Sequence, residues 1–152
     1  MPMLSVDANI LLYCYSEAAP EHDAALRFVA SLASREDVVL SEFVLAEFYL
    51  LLRNGAVLQR PLSAPDAVAA IEHYRRHPHW RVAGFPPGSR ELHSQLWQRA
   101  AAPGFARRRI YDARTALCLR AFGVTEFATA NTKDFQEFGF RRLWNPMEIR
   151  TA

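Results

Sequence analysis

The stretch Leu4–Tyr13, LSVDANILLY, places a carboxylate between two apolar segments. Leu4 and Val6 predict a short buried strand, and the apolar residues that follow predict a helix over residues 8–16. Asp7 suits the N-cap of that helix, where a side-chain oxygen accepts a backbone N–H. It also stands at the carboxyl end of the strand, where parallel α/β sheets bind their ligands. The residues of this stretch leave both roles open.

The rest of the chain repeats the alternation of short apolar strands and helices. Further strands are predicted at 37–41, 80–85, 126–130 and 141–145. Helices are predicted at 21–33, 42–53, 63–77, 90–101 and 110–122, with a short helical turn at 134–139. Asn54 and Gly55 are predicted to end the third helix as a left-handed cap. This pattern predicts an α/β fold, a three-layer α/β/α sandwich around a short, mostly parallel sheet of about five strands.

The composition limits the class of protein. A chain of 152 residues that is 51% hydrophobic suits one domain, so we expect residues 1–152 to form it. No apolar run approaches the roughly 18 residues of a membrane span, and no export signal begins the chain. Cys14 and Cys118 lie in apolar stretches without metal-ligand spacing, which indicates reduced core residues. We therefore expect a cytoplasmic protein that does not bind a membrane.

Three further acids stand in apolar surroundings. Glu47 interrupts FVLAEFYLLL, a helix apolar on nearly every side, which predicts a buried carboxylate that needs a partner. The alternative is a narrow exposed stripe on that helix. Asp112 lies in the first turn of a helix, where it can also favour the helix dipole or pair with Arg109 or Arg114. Asp134 follows the strand FATA and can instead be an N-cap.

The four acids share one expected location. Two follow strands at their carboxyl ends, and two lie on helices predicted to begin near that edge. Converging carboxylates repel and raise one another's pKa unless a hard cation such as Mg²⁺ or Mn²⁺ binds them. Such a site favours hydrolysis of a phosphodiester. The chain has no G-x-S-x-G elbow, no Cys paired with a nearby His and no glycine loop for phosphate.

Four segments together resemble a known family in order and spacing. SVDANILLY, the Ser41 to Glu47 pattern S-x-x-x-x-x-E, YDARTALCLRAFG and FATANTKDFQEFGFRRLWNP are similar to the PIN domain of VapC-type toxins over nearly the whole chain. The resemblance implies a metal-dependent endoribonuclease that uses Mg²⁺ or Mn²⁺. It also implies the toxin half of a toxin-antitoxin pair, a homodimer that a cognate antitoxin silences by covering the acidic site.

The resemblance also implies roles for individual side chains. Some relatives have Asp where this chain has Asn131, whereas others have Asn there and an acid three residues later, as in NTKDF. Asp134 is therefore taken as the fourth carboxylate. The implied metal ligands and catalytic groups are Asp7, Glu47, Asp112 and Asp134. The side chains implied to orient these carboxylates or the metal-bound waters are Asn9, Thr129 and Asn131.

Two other functional classes were weighed. Haloacid-dehalogenase-like phosphoryl transfer needs a second Asp two residues after the first, and this chain has Asn9 there. The other class is a non-catalytic PIN-like module that binds RNA or a protein, but a pure binder of anionic RNA would gain nothing from a negative cleft. The resemblance, rather than the acids themselves, favours RNA over DNA as substrate.

Two groups of basic side chains complete the candidates. Arg107, Arg108 and Arg109 directly precede the Asp112 helix, where they can contact RNA phosphates, contact the antitoxin or form a solvated loop. The histidines of HYRRHPHW are His73, His77 and His79. Two of them share a helical face at a spacing of four residues, but no third ligand has a clear place, which favours surface residues over a metal site.

Overall fold

The computed structural model describes residues 3–148, in which each of the first three strands is followed by two helices. The elements are β1 (Met3–Val6), α1 (Ala8–Tyr13), α2 (His22–Ser31), β2 (Val39–Ser41), α3 (Glu42–Leu52), α4 (Ala64–Arg75), β3 (Arg81–Ala83), α5 (Ser89–Ala100), α6 (Arg109–Ala121), β4 (Val124–Ala128), a 3₁₀ helix (Thr132–Phe138) and β5 (Arg142–Trp144). Within this described part, no helix is long and apolar enough to cross a membrane.

The strands pair in parallel throughout the sheet. β4 lies between β1 and β5, and β2 pairs with β3 in a second ladder. A bridge between Leu4 and Val38 joins the two ladders, and the N–H of Leu4 donates to the carbonyl of Asp37 at 2.9 Å. The spatial order is therefore β3-β2-β1-β4-β5. The predicted parallel sheet is confirmed, although it consists of a three-stranded and a two-stranded ladder.

Alternate strand residues supply two hydrophobic cores, one on each face of the sheet. Leu4, Val6 and Leu40 belong to the core that also contains buried residues of α1, α2, α3 and α4. Val39 and Phe127 belong to the other core, against α5, α6 and the 3₁₀ helix. Because successive side chains of a strand point to opposite faces, these short apolar strands bury both. The predicted three-layer α/β/α arrangement is confirmed.

The end of α3 differs from the predicted left-handed cap. Neither Asn54 nor Gly55 has a positive φ, and the helix ends at Leu52 with Arg53 at φ −98°. The side-chain oxygen of Asn54 instead accepts the N–H of Ala56 at 2.9 Å. An Asn side chain can form such a local turn with the backbone two residues on, so no left-handed residue is needed.

Candidate active site

Asp7 lies at the junction of β1 and α1, at the carboxyl edge of the sheet. Its Oδ1 accepts the N–H of Ala8 at 2.8 Å, as expected for an N-cap. Its own N–H donates to the carbonyl of Ala128 in β4 at 2.9 Å. The side chain is only 7% exposed. Both roles that the sequence left open are therefore compatible, because one oxygen caps the helix and the carboxylate still lies at the strand ends.

Thr129 fixes the second oxygen of Asp7. Its buried hydroxyl donates to Oδ2 of Asp7 at 2.7 Å and accepts the N–H of Asn131 at 3.0 Å. The N–H of Thr129 donates to the carbonyl of Trp144, at the end of β5, at 3.0 Å. The ends of β1, β4 and β5 are thus connected through one threonine. Both oxygens of Asp7 have a fixed orientation, and each keeps a lone pair for a further ligand.

Asn9 and Asn131 act on the backbone beside Asp7. The side-chain oxygen of Asn9 accepts the N–H of Ala130 at 3.3 Å. Asn131 is exposed, and its side chain makes no capping hydrogen bond to the 3₁₀ helix that follows. The side-chain oxygen of Asn9 and the backbone N–H of Asn131 thus hold the connection after β4, and the described contacts place neither side chain on a carboxylate.

Glu47 lies on the exposed side of α3, so the predicted burial of this carboxylate is wrong. Ser41 at the end of β2 caps α3 by accepting the N–H of Phe43 at 3.0 Å, and α3 therefore begins at the same sheet edge as α1. Although solvent reaches Glu47, neighbouring protein atoms partly desolvate it. The pKa of Glu47 is raised to about 7, first by this partial burial and then by the charges of Asp7 and Asp112.

Asp112 and Asp134 complete the acidic cluster. Asp112 is half-buried in the first turn of α6. Its pKa is raised to about 6 by burial and by the charges of Asp7 and Asp134, whereas Arg109 acts to lower it. Burial also raises the pKa of Asp7; its two hydrogen bonds oppose that effect, and the charge of Asp134 adds to it. Each acid therefore interacts with at least two of the others.

Asp134 is not the N-cap of the element that contains it. It lies in the first turn of the 3₁₀ helix, where Asn131 is the cap residue. The N–H of Asp134 donates to the carbonyl of Asn131 at 3.1 Å. Because this turn packs beside α6, the Asp134 carboxylate is close enough to act on both Asp7 and Asp112.

Comparison with known proteins identifies the fold and the family. The family model described as PIN domain matches residues 4–141. The chain belongs to the PIN-domain family. This PIN domain is 47% identical to Ribonuclease VapC24 of Mycobacterium tuberculosis over 145 residues, which cover 95% of this chain and 97% of that protein.

Two solved structures share the fold of this PIN domain. VapC20 of Mycobacterium tuberculosis, described as a sarcin-ricin loop cleaving toxin, aligns with a TM-score of 0.66 and 24% identity, covering 90% of this chain and 95% of that one. VapBC2 of Rickettsia felis, solved with a DNA fragment from its promoter, aligns with a TM-score of 0.59 and 17% identity, covering 94% and 98%. Because these identities are below 25%, the two structures show only that the fold is shared.

Arg109 acts on Asp112 of the PIN domain, but it is already engaged. It pairs with Glu137 and donates to the carbonyl of Asp134 at 3.2 Å, and its guanidinium carbon lies 5.9 Å from the ring centroid of Phe105. Arg107 and Arg108 are exposed. Of the predicted basic run, two side chains are therefore accessible on the loop and the third joins α6 to the 3₁₀ helix.

The donor set of the PIN domain fits a hydrated divalent cation. Among residues 3–148, no three His, Cys, Asp or Glu side chains are placed so that they could all bind one ion directly. Mg²⁺, however, usually keeps several waters and contacts one or two carboxylates. Four oxygen-donor acids match such an ion, because its charge removes the repulsion that helps to raise the pKa of Asp7, Glu47 and Asp112.

The histidines form no part of this site. Nδ1 of His77 accepts the N–H groups of His79 and Trp80 at 3.1 and 3.2 Å. The ring of His77 also stacks on Trp80, with ring centroids 4.2 Å apart. His73 and His79 are exposed. The described contacts of His77 are those of a capping residue.

Two side chains that the sequence analysis did not single out as functional lie next to the acids. Arg114, two residues after Asp112, places its guanidinium carbon 4.2 Å from the ring centroid of Phe43, one turn before Glu47. In the sequence, only the short separations of Phe43 from Glu47 and of Arg114 from Asp112 could have indicated these two side chains. The contact itself depends on how α3 and α6 approach each other.

Proposed function

We propose that this PIN domain is a metal-dependent endoribonuclease that hydrolyses RNA phosphodiester bonds as the toxin of a toxin-antitoxin pair. The observation that carries the proposal is the group of four carboxylates at one edge of the sheet, in which the pKa of Asp7, Glu47 and Asp112 is raised first by burial and then by the charges of neighbouring acids of the group. Such a cluster disfavours anionic ligands until a cation binds. The 47% identity to a protein named a ribonuclease gives RNA as the substrate.

Asp7, Glu47, Asp112 and Asp134 are the residues proposed to hold Mg²⁺ or Mn²⁺. When bound, such an ion lowers the pKa of a water and neutralises charge that develops on the phosphodiester. Asp7 is the fixed member, since Thr129 and the N–H of Ala8 hold its two oxygens. Glu47 and Asp112 must lose protons before they can bind a cation, so ion binding competes with protonation near neutral pH.

The proposed reaction uses water rather than a side chain as nucleophile. The water oxygen loses a proton and forms a bond to phosphorus, the bond between phosphorus and the 3′-oxygen breaks, and the leaving 3′-oxygen takes up a proton. The products are a 5′-phosphate and a 3′-hydroxyl. Arg107 and Arg108, exposed on the loop before α6, are proposed to contact RNA phosphates beside the site.

We further propose that the chain is a homodimer and binds a protein antitoxin. α3 and α4 line an apolar groove of about 530 Å³ that includes Tyr49, Leu50, Val68 and Ile71. Leu50 is 69% exposed on it, an unusual position for a large apolar side chain unless a protein covers it. The solved VapBC2 complex of the same fold supports a protein partner.

The remaining proposals concern the extent of the domain and its location. The family match over residues 4–141, with elements on both faces of one sheet, supports a single PIN domain over residues 1–152. Cys14 and Cys118 are both free thiols. Reduced cysteines and an RNA substrate support a cytoplasmic location.

Cleavage of total RNA by the purified protein tests the proposed activity. We expect discrete fragments with 5′-phosphate ends in the presence of Mg²⁺ or Mn²⁺, and none with EDTA. Asp7→Asn and Asp112→Asn should abolish cleavage, because each removes a charge of the cluster. Asp66→Asn is the matched control, since Asp66 also lies in the first turn of a helix but is exposed on α4.

The outcomes separate three functions. Cleavage that persists in EDTA, or in both active-site variants, would contradict the metal-dependent mechanism. RNA binding without cleavage by the correctly folded wild-type protein would favour the non-catalytic binding module. Growth arrest on induced expression, relieved by a co-expressed antitoxin, would distinguish a toxin from a housekeeping nuclease.

A further inference from the structure

Four side chains beside the acidic cluster form an aromatic and cationic surface. The guanidinium carbon of Arg114 lies 4.2 Å from the ring centroid of Phe43 and 5.8 Å from that of Tyr111. The ring of Phe85 packs edge-on against Phe43, with centroids 4.9 Å apart. We call Phe43, Phe85, Tyr111 and Arg114 the rim platform.

The rim platform is built on the helices that carry two of the acids. On α3, Phe43 precedes Glu47 by one turn and therefore shares its face. On α6, Tyr111 and Arg114 flank Asp112, one residue before it and two residues after it. The contact between Arg114 and Phe43 thus joins the two helices that carry Glu47 and Asp112, and Phe43 places the platform one turn from Glu47 on α3.

Phe85 belongs to the same edge of the sheet. It follows β3 by two residues, and β3 runs parallel to β2, whose last residue caps α3. Phe85 is 58% exposed and Tyr111 is 66% exposed, so two aromatic rings face solvent beside an acidic cluster. Exposed aromatic rings grouped in this way mark binding surfaces more often than isolated apolar residues do.

Arg114 has binding capacity that the described residues do not use. It forms none of the ion pairs found between residues 3 and 148, and its buried Nε has no hydrogen-bond partner there. A guanidinium held over an aromatic ring keeps its N–H groups in its own plane, where the terminal ones can contact a phosphate in bidentate fashion.

We propose that the rim platform binds an unpaired nucleotide of the RNA next to the scissile phosphate. Phe85 and Tyr111 stack on its base, and Arg114, held on Phe43, contacts its phosphate. This proposal rests on the proposed ribonuclease function and gives its substrate class as RNA with an unstacked base at the cleavage position.

Electrostatics explains why a nuclease of this kind needs such a surface. The four acids repel the RNA backbone until a cation binds, so they contribute little to the first contact with substrate. Base stacking does not depend on charge, and one cation beside the cleft offsets part of the repulsion. In a duplex the bases are stacked on each other and unavailable to aromatic side chains, so the platform selects single-stranded segments.

Binding measured without cleavage tests the platform. A short labelled single-stranded RNA is titrated with protein in EDTA and followed by fluorescence anisotropy, and a duplex of the same sequence serves for comparison. Phe85→Ala is expected to weaken single-strand binding by about tenfold, in line with the loss of one stacked base. Phe85→Tyr should bind like the wild type, and Phe85→Leu should bind like Phe85→Ala, since only the tyrosine keeps an aromatic face.

The chain provides a matched control for Phe85. Trp97 on α5 is 61% exposed and lies outside the platform, so Trp97→Ala should leave RNA binding unchanged. Arg114→Gln should weaken binding and reduce the salt dependence of the affinity by about one phosphate contact. Thermal unfolding of each variant identifies any loss of affinity that reflects misfolding, and substitutions at the exposed Phe85 and Trp97 should change stability little.

Several outcomes would overturn the inference. One is normal affinity of Phe85→Ala for single-stranded RNA. Another is an equal loss of that affinity in Phe85→Ala and Trp97→Ala. The third is wild-type affinity of Phe85→Leu for single-stranded RNA. If Phe85→Ala weakens antitoxin binding but not RNA binding, the platform is a protein interface. Metal-dependent cleavage by the wild type with normal RNA binding by all platform variants rejects the platform and keeps the function. Loss of single-strand binding in Phe85→Ala, with no cleavage by the wild type, rejects the function and keeps the platform.

Discussion

Asp7 and Glu47 contribute to one acidic cluster but are held in opposite ways. Asp7 follows a strand, is buried, and has a hydrogen bond on each oxygen. Glu47 lies in the middle of α3 on its exposed side, and its pKa is raised to about 7 by partial burial and by neighbouring charges. The strand end provides a fixed carboxylate, whereas the helix provides one whose charge depends on pH and on bound cations.

The difference follows from local structure. A residue directly after a parallel strand is held by the ladder before it and the helix after it, so its side chain moves little. On an exposed helix face, few neighbouring atoms restrict a side chain, so it can adopt several rotamers. A site for a cation that keeps several waters is served by both kinds of carboxylate, since one fixed ligand sets the position and adaptable ligands adjust to the hydrated ion.

Thr129→Val should have a large effect on both activity and stability, because it releases the fixed carboxylate of Asp7. The substitution keeps the shape of the side chain and removes the donor to Oδ2 of Asp7 and the acceptor for the N–H of Asn131. Loss of a group that orients a metal ligand typically lowers activity by about 10- to 100-fold. A buried acceptor left without its donor also lowers the free energy of unfolding by about 1–3 kcal/mol. RNA cleavage rates and urea unfolding measure the two effects.

Thr125 in β4 is the matched control for Thr129. Its hydroxyl oxygen is buried but has no hydrogen-bond partner among the described residues. Thr125→Val should therefore leave activity unchanged and leave stability equal or slightly higher. Similar losses in Thr125→Val and Thr129→Val would show that the hydrogen bond to Asp7 has no special role.

Asp134→Asn tests which residue provides the fourth carboxylate. Asp134 is partly buried and acts on Asp7 and Asp112, whereas Asn131 is exposed. We expect Asp134→Asn to raise the Mg²⁺ concentration for half-maximal cleavage by about tenfold, a value typical of groups that support a metal ligand. Adding Asn131→Asp should restore part of the affinity. An unchanged Mg²⁺ requirement in Asp134→Asn would exclude this residue from the site.

The pH dependence of the free energy of unfolding should reveal the titration of the two helix carboxylates, Glu47 and Asp112. The pKa values of Glu47 and Asp112 are raised to about 7 and about 6, so the folded state holds their protons at pH values where the unfolded state has released them. In EDTA, the contribution of these two groups to the free energy of unfolding is therefore greatest below about pH 4 and is lost as the pH rises to about 7. Because solvent screens the exposed Glu47, we expect a loss on the order of 1 kcal/mol.

Two comparisons make this measurement decisive. Glu47→Gln should flatten the decrease in melting temperature between about pH 5 and 7, because the amide does not ionise. Mg²⁺ should raise the melting temperature most at the alkaline end of this range, where both carboxylates are ionised. A Mg²⁺ effect that is equal at pH 5 and pH 7.5 would argue against binding by these groups.

The sequence predicted the strand-end half of the site better than the helical half. LSVDANILLY and FATAN place Asp7 and Thr129 at strand ends through short apolar runs, and the structure brings the two side chains within 2.7 Å. Every predicted strand also exists, and the buried strands β1, β2 and most of β4 leave the strongest pattern. The pairing of Asp7 with Thr129 follows from the order of the strands, so it can be predicted without knowledge of side-chain packing.

The helical half depends on packing that the pattern does not contain. FVLAEFYLLL predicts a helix buried on all sides, yet Glu47 and Leu50 are exposed because α1 and α4 contact only part of its surface. Apolar composition cannot distinguish a core face from one that a second protein covers. The contact between Phe43 and Arg114 likewise requires the approach of two helices far apart in sequence.

Arg109→Gln should have the smallest effect, and it tests how strongly the charge of Arg109 lowers the pKa of Asp112. Arg109 lowers the pKa of Asp112, so its loss should raise that pKa further above its usual value. At limiting Mg²⁺, the acidic limb of the cleavage profile is then expected to move to higher pH by about half a unit or less. Arg108→Gln, an exposed change on the same loop, removes an equal charge and should not move it. A shift of equal size in both variants would mean that the overall charge of the loop, rather than the position of Arg109 beside Asp112, sets the protonation of the site.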